Sequence, residues 1–246
     1  MRIFGGISLL LLLLLHPATL WAKDRLIIMA GQSNMMGRGK TFHLPANYKN
    51  TPKNIAFFYQ GRPHKLAEFA FFGPEVAFAH EVARAFPQDR IILVKQAATG
   101  SSIKQWQPDG ALYRGLLRQI GFATDTYPAT VDAVLWMQGE SDARSQAQEA
   151  NQYGSRLEHL VQRFRIDLAA PHSLFLVGQI NPEHPAFLMT NNVRQQQQRI
   201  QQQVPNTVLI STDGLGKMAD RIHYDAQGQL QLGKRFAQAY IKRTKS

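Results

Sequence analysis

The sequence has no cysteine among its 246 residues. That absence excludes a disulfide-stapled scaffold, zinc sites built on thiolates, a thiol nucleophile and the lipidated N-terminal cysteine of a bacterial lipoprotein. Any chemistry must run on oxygen and nitrogen. Acidic side chains are also scarce, with 17 Asp and Glu against 28 Lys and Arg and a formal net charge of +11. The basic residues are scattered, clustering only at positions 62–65 and 242–245, without interleaved aromatics. They read as a soluble basic surface open to acidic glycans, and no nucleic-acid partner is expected. Internal repeats and domain linkers are absent, and no histidines stand at metal-ligand spacing, so no metal is expected.

Long apolar runs are missing except at the N-terminus. There, Arg2 precedes an apolar stretch over positions 3–15 with seven consecutive leucines, broken by His16 and Pro17, and Ala22 precedes the charged Lys23-Asp24-Arg25. This is the layout of a secretory signal, shorter than the roughly 20 apolar residues of a membrane span. The expected organisation is a signal peptide over residues 1–22, cleaved after Ala22, and one domain over residues 23–246. An uncleaved N-terminal anchor is the alternative. The expected location is secreted or periplasmic, without stable membrane insertion after cleavage.

Hydrophobic residues make up 44% of the chain, enough for a folded globule. Continuous apolar runs rich in Val, Ile and Leu at 25–30, 90–95, 132–137, 173–177 and 207–211 read as strands buried on both faces of a parallel sheet. Helical periodicity lies between them, clearest in Leu157, Leu160, Val161, Phe164 and Leu168. Two more helices are predicted over about 189–203, where glutamines form a solvated face, and about 229–242. Five strands alternating with helices predict an α/β sandwich with right-handed crossovers. The segment from Gly39 to Gly73 breaks the alternation. It reads as an excursion over the top of the sheet, with a short strand possible at 55–59.

In open α/β sheets ligands bind beyond the carboxyl ends of the strands, and here those ends carry the chemically capable residues. The first strand leads into Gly31-Gln32-Ser33-Asn34, the second into Thr99-Gly100-Ser101-Ser102, the third into Gln138-Gly139-Glu140-Ser141-Asp142, and the fifth toward Asp220-Arg221-Ile222-His223. Ser33, on a tight turn after a strand, is the candidate nucleophile; a helix cap is the alternative reading of Ser33 or Asn34. His223 is the candidate base and Asp220, three residues earlier, its partner, with Glu140 competing for that place. The Ser33 N–H, the Gly100 N–H and the Gln138 side-chain amide are candidate donors to an oxyanion, Gln138 alternatively tying two loops together. Gln32, Glu140 and Asp142 are candidate supporting residues. Trp106 is a candidate platform for a sugar ring or a packing residue under the second loop.

The blocks Gly31-Gln32-Ser33-Asn34-Met35, Gly73-Pro74-Glu75, Gly100-Ser101-Ser102, Trp136-Met137-Gln138-Gly139-Glu140-Ser141-Asp142 and Asp220-Arg221-Ile222-His223 resemble those of the sialate O-acetylesterase-like branch of the SGNH hydrolases. That branch includes the acetylxylan esterases of carbohydrate esterase family six. The resemblance spans nearly all of the chain after the N-terminal run. It implies a flavodoxin-like three-layer α/β/α sandwich with a five-stranded parallel sheet and no metal or organic cofactor. It also implies Ser33 as nucleophile, His223 as base, Asp220 as its orienter, and Ser33, Gly100 and Gln138 around the oxyanion. The expected activity is removal of O-acetyl groups from acetylated carbohydrates through an acetyl-enzyme, at a rate that rises with pH as the base loses its proton. A lipase or thioesterase on the same fold, and a non-catalytic carbohydrate-binding protein, are the alternatives.

Overall fold

The computed structural model describes residues 21–144 and 146–245, so the signal-peptide reading of the first 20 positions lies outside the described residues. Among the described residues nine strands form, β1 (Asp24–Gly31), β2 (Gly39–Lys40), β3 (Ile55–Tyr59), β4 (Arg62–His64), β5 (Phe71–Phe72), β6 (Arg90–Ala97), β7 (Val131–Met137), β8 (Leu174–Gly178) and β9 (Thr207–Ile210). The helices are α1 (Ser33–Met36), α2 (Glu75–Ala85), α3 (Ala111–Thr126), α4 (Glu140–Ala143), α5 (Ala147–Asn151), α6 (Tyr153–Asp167), α7 (Thr190–Gln203) and α8 (Ala226–Lys245).

The main sheet runs β4-β3-β6-β1-β7-β8-β9, and every pairing in it is parallel except β3 with β4. β1 lies at its centre, and Leu26 to Ala30 are completely buried, as a strand covered on both faces requires. The five strands predicted from apolar runs take the spatial order 2-1-3-4-5. Helices cover both faces. Phe175 of β8 meets Phe164 of α6, whereas a side chain at Gly178, three positions on and therefore on the opposite face, would touch Phe236 of α8. α2 packs with α8 through Phe78 and Tyr240.

The sheet has seven strands where five were expected. The Gly39 to Gly73 excursion does not simply pass over the top: its β3 joins the sheet edge beside β6, and β4 folds back on β3 as an antiparallel hairpin. The turn between them is Gln60-Gly61, with φ of 52° and 74°, the two positive values that suit a two-residue hairpin to the strand twist. β4 is hidden in the sequence because it is three residues long and contains Pro63, which an edge strand accommodates. A second correction concerns α7. Gln197 is fully buried rather than part of a solvated face, its Nε2 donating to the Gln138 and Gly178 carbonyls at 3.1 and 3.4 Å and its Oε1 accepting the Ile180 N–H at 3.0 Å. Among the described residues no helix is long and apolar enough to cross a membrane.

Candidate active site

The site grows from the carboxyl end of β1. Gly31 is forced there, because a Cβ on it would stand 2.0 Å from the Met137 carbonyl oxygen. β1 and β7 can therefore approach closely just before the chain turns into α1, and the Gln32 N–H bonds the Met137 carbonyl at 2.9 Å. Ser33 opens α1 with its own N–H free of the helix ladder.

Asp220, His223 and Ser33 form one hydrogen-bonded chain. The Asp220 Oδ2 lies 2.6 Å from His223 Nδ1, and His223 Nε2 lies 2.9 Å from Ser33 Oγ, across 190 positions of sequence. Asp220 Oδ1 also accepts the N–H groups of Ile222 and His223 at 2.9 and 3.0 Å. Partial burial pushes the Asp220 carboxyl upward, but these three donors outweigh it and hold the group below the usual carboxylate range. Asp220 is thus the partner of the histidine, and Glu140 is not.

Glu140 acts one step away, through Asn34. The Asn34 amide donates to Glu140 Oε1 at 2.6 Å and to the Ile222 carbonyl at 3.2 Å, while its Oδ1 accepts the Tyr224 N–H at 3.1 Å. One side chain therefore grips the backbone on both sides of His223 from the position next to Ser33. Burial pushes the Glu140 carboxyl above its usual range, the Asn34 amide opposing it. Its Oε2 is buried without a hydrogen-bond partner among the described residues.

Gln138 requires a correction. The sequence offered its amide as an oxyanion donor, but the residue is fully buried and its NH₂ group faces three acceptors: Asp142 Oδ2 at 2.6 Å, the Ser101 carbonyl at 2.9 Å and Gln32 Oε1 at 3.2 Å. Its N–H groups are thus engaged by protein acceptors, and the amide ties the second and third loops together. Gln32 does related work, its Oε1 also accepting the N–H groups of Gly139 and Ser141. Asp142 receives the Gln138 amide and the Ile103 N–H, and burial raises its carboxyl against them. The Ser33 and Gly100 N–H groups have no partner among the described residues. The Gly100 loop is held beside β1 by the Ala98 N–H on the Gly31 carbonyl at 2.9 Å. Trp106 is a core residue, not a platform: it is completely buried, edge-on to Trp136, with its indole N–H on Ser101 Oγ.

Lys95 and Glu75 went unrecognised as supports. Lys95 Nζ, two residues before the end of β6, meets Glu75 Oε2 at 2.7 Å and the Met36 carbonyl at 2.8 Å, with both side chains only 4% exposed. The pair fixes the end of α1. The signal in the sequence was a lysine closing a strand otherwise buried on both faces, which demands a buried acid nearby. Among the described residues no group of three His, Asp or Glu could hold a metal ion. A hollow of about 550 Å³ beside Asp132 and His172 lies at the amino ends of the strands, away from this site.

This geometry meets its relatives in three comparisons. The profile of the family described as "Carbohydrate esterase, sialic acid-specific acetylesterase" (SASA) matches residues 23–242. The chain is 27% identical over 242 residues to a probable carbohydrate esterase of Arabidopsis thaliana, covering 89% of this chain and 90% of that protein. The crystal structure of the Arabidopsis protein superposes with a TM-score of 0.77 over 89% of this chain and 98% of that one. NanS, 15% identical, shares the fold at a TM-score of 0.74 over 92% and 98% of the two chains. A carbohydrate acetylesterase from Xanthomonas citri, 19% identical, does so at 0.65 over 87% of this chain and 55% of that one. The chain belongs to the SASA family of carbohydrate esterases and is a carboxylic ester hydrolase.

Proposed function

We propose that the protein is a serine-dependent carbohydrate O-acetylesterase working through an acetyl-enzyme. The observation that carries this reading is the unbroken chain from Asp220 through His223 to the Ser33 hydroxyl. Ser33 Oγ attacks the acetyl carbonyl while His223 Nε2 takes the hydroxyl proton. The negative charge that develops on the carbonyl oxygen is received by the Ser33 and Gly100 N–H groups. The carbon–oxygen bond to the sugar then breaks, the sugar oxygen takes the proton from His223, and acetyl-Ser33 remains. Water attacks that ester, giving one proton to His223; acetate departs and Ser33 recovers the proton. Asp220 holds the imidazole with Nε2 toward the serine and balances its charge when protonated. The 2-1-3-4-5 order of the five strands predicted from apolar runs supports the flavodoxin-like, SGNH-type form of the fold.

Acetate release from a simple aryl acetate, measured for wild type and Ser33→Ala, tests the reading. Removing the nucleophile is expected to lower kcat at least about 10³-fold, toward the residual rate that binding and oxyanion donors alone sustain. Equal rates would remove Ser33 from the mechanism.

A further inference from the structure

A cavity of about 270 Å³ opens beside α1, between that helix and the excursion that the sheet carries at its edge. Met36 and Gly37 form one wall, and the Gly37 N–H is bonded to the Ser33 carbonyl at 2.9 Å. Met36 also reaches the other way, its sulfur accepting the Thr99 hydroxyl at 3.4 Å, next to Gly100. Cavity and oxyanion loop therefore share a side chain. At a rise of about 1.5 Å per residue, the cavity wall begins within a sugar ring's width of the nucleophile.

The lining joins two kinds of surface. Tyr59, Phe69 and Phe71 supply aromatic rings, with Phe69 37% and Phe71 50% exposed, an unusual outlay of apolar area beside a polar site. Lys95 and Glu75 neutralise each other on the floor. Arg38 remains, and its guanidinium has no carboxylate, hydrogen-bond or ring partner among the described residues. A planar aromatic face suits the C–H face of a pyranose, and an unpaired fork of N–H donors suits the oxygens around its rim.

We infer that this cavity is the subsite for the sugar ring of the ester, with Phe71 and Phe69 packing against the ring and Arg38 binding its oxygen substituents. The inference rests on the acetylesterase reading and adds a location and residues to it. It gives the excursion a purpose, since Tyr59, Phe69 and Phe71 all come from it. It also gives the acetyl group a direction, because a ring seated here leaves the ester to extend past Met36 toward Ser33. Arg38, without an anionic partner among the described residues, suits carboxylated pyranoses as well as neutral ones.

The experiment compares Arg38→Gln and Phe71→Ala with wild type on acetylated xylo-oligosaccharides, an O-acetylated sialic acid and an aryl acetate. For the sugar esters that the wild type cleaves, each variant is expected to lose about tenfold more kcat/KM than on the aryl acetate, mostly through KM. Parallel losses on sugar and aryl esters, or none, would overturn the subsite while leaving the esterase intact. A second measurement does not depend on turnover: saturation-transfer NMR of the same sugars with Ser33→Ala protein. Binding is expected there and is expected to weaken when either change is added; sugar binding indifferent to both changes, or no sugar binding at all, would also overturn the subsite. If Ser33→Ala matches wild type on the aryl ester, the serine reading fails, and the NMR result still decides the subsite.

Discussion

Asn34 is bound on three sides, and each bond does a separate job. Two hold the backbone flanking His223, and the third fixes the amide against Glu140. Because Asn34 follows Ser33 directly, it sets the distance between the proposed nucleophile Ser33 and the proposed base His223. Asn34→Ala is expected to lower kcat about 10²-fold with little change in KM, as a shift of a reacting group by about 1 Å does. Steady-state kinetics check this; a change confined to KM would show that the clamp serves binding instead. Glu140 gives a prediction in stability. Its carboxyl, raised by burial, binds its proton more tightly in the folded chain than in the unfolded one. Its contribution to stability therefore declines as pH climbs from the ordinary carboxylate value toward the raised one. Glu140→Gln removes that decline, so Tm of the variant relative to wild type is expected to improve as pH rises above the ordinary carboxylate value of about 4. A pH-independent difference would contradict the buried-acid assignment.

At the scale of elements, the short α1 has few resources of its own. It spans four residues, and Lys95 supplies an ammonium to its last carbonyl while Glu75, opening α2, neutralises that ammonium. The same carboxylate accepts the Gly73 N–H at 2.8 Å, which accounts for the order Gly73-Pro74-Glu75 in the chain. Removing one partner leaves the other charged and buried, so Lys95→Met is expected to destabilise the fold by about 3–5 kcal/mol. Chemical denaturation measures it, and a loss below about 1 kcal/mol, the range of surface pairs, would show that Glu75 finds other compensation. The Ser33 turn, α2 and β6 are thus coupled by charge as well as by packing.

Across the whole molecule, what could be read from sequence depended on periodicity and on strand ends. Continuous apolar runs such as 90–95 marked the five central strands, because a strand covered on both faces leaves no other pattern. The strand ends then placed Ser33 and His223 on one rim before any contact was known. The edge hairpin was not legible, since Arg62-Pro63-His64 carries no apolar signal and forms only because β3 offers it a partner. The orientation of amides was not legible either. Gln138 reads in the sequence as an oxyanion donor or a loop tie and Gln197 as part of a solvated face, and only the convergence of several loops shows that the first faces three acceptors and that the second holds the carbonyls of Gln138, just after β7, and of Gly178, which ends β8.

In the proposed mechanism all of these parts serve one bond, between an acetyl carbon and Ser33 Oγ. Acid-quenched reaction with an aryl acetate, followed by peptide mass spectrometry, tests it most directly. One acetyl group is expected on the peptide containing Ser33, absent from the Ser33→Ala protein and accumulating in His223→Ala no faster than spontaneous acetylation. Acetate release with no acetyl group ever found on that peptide, or with the label on a lysine instead, would contradict it.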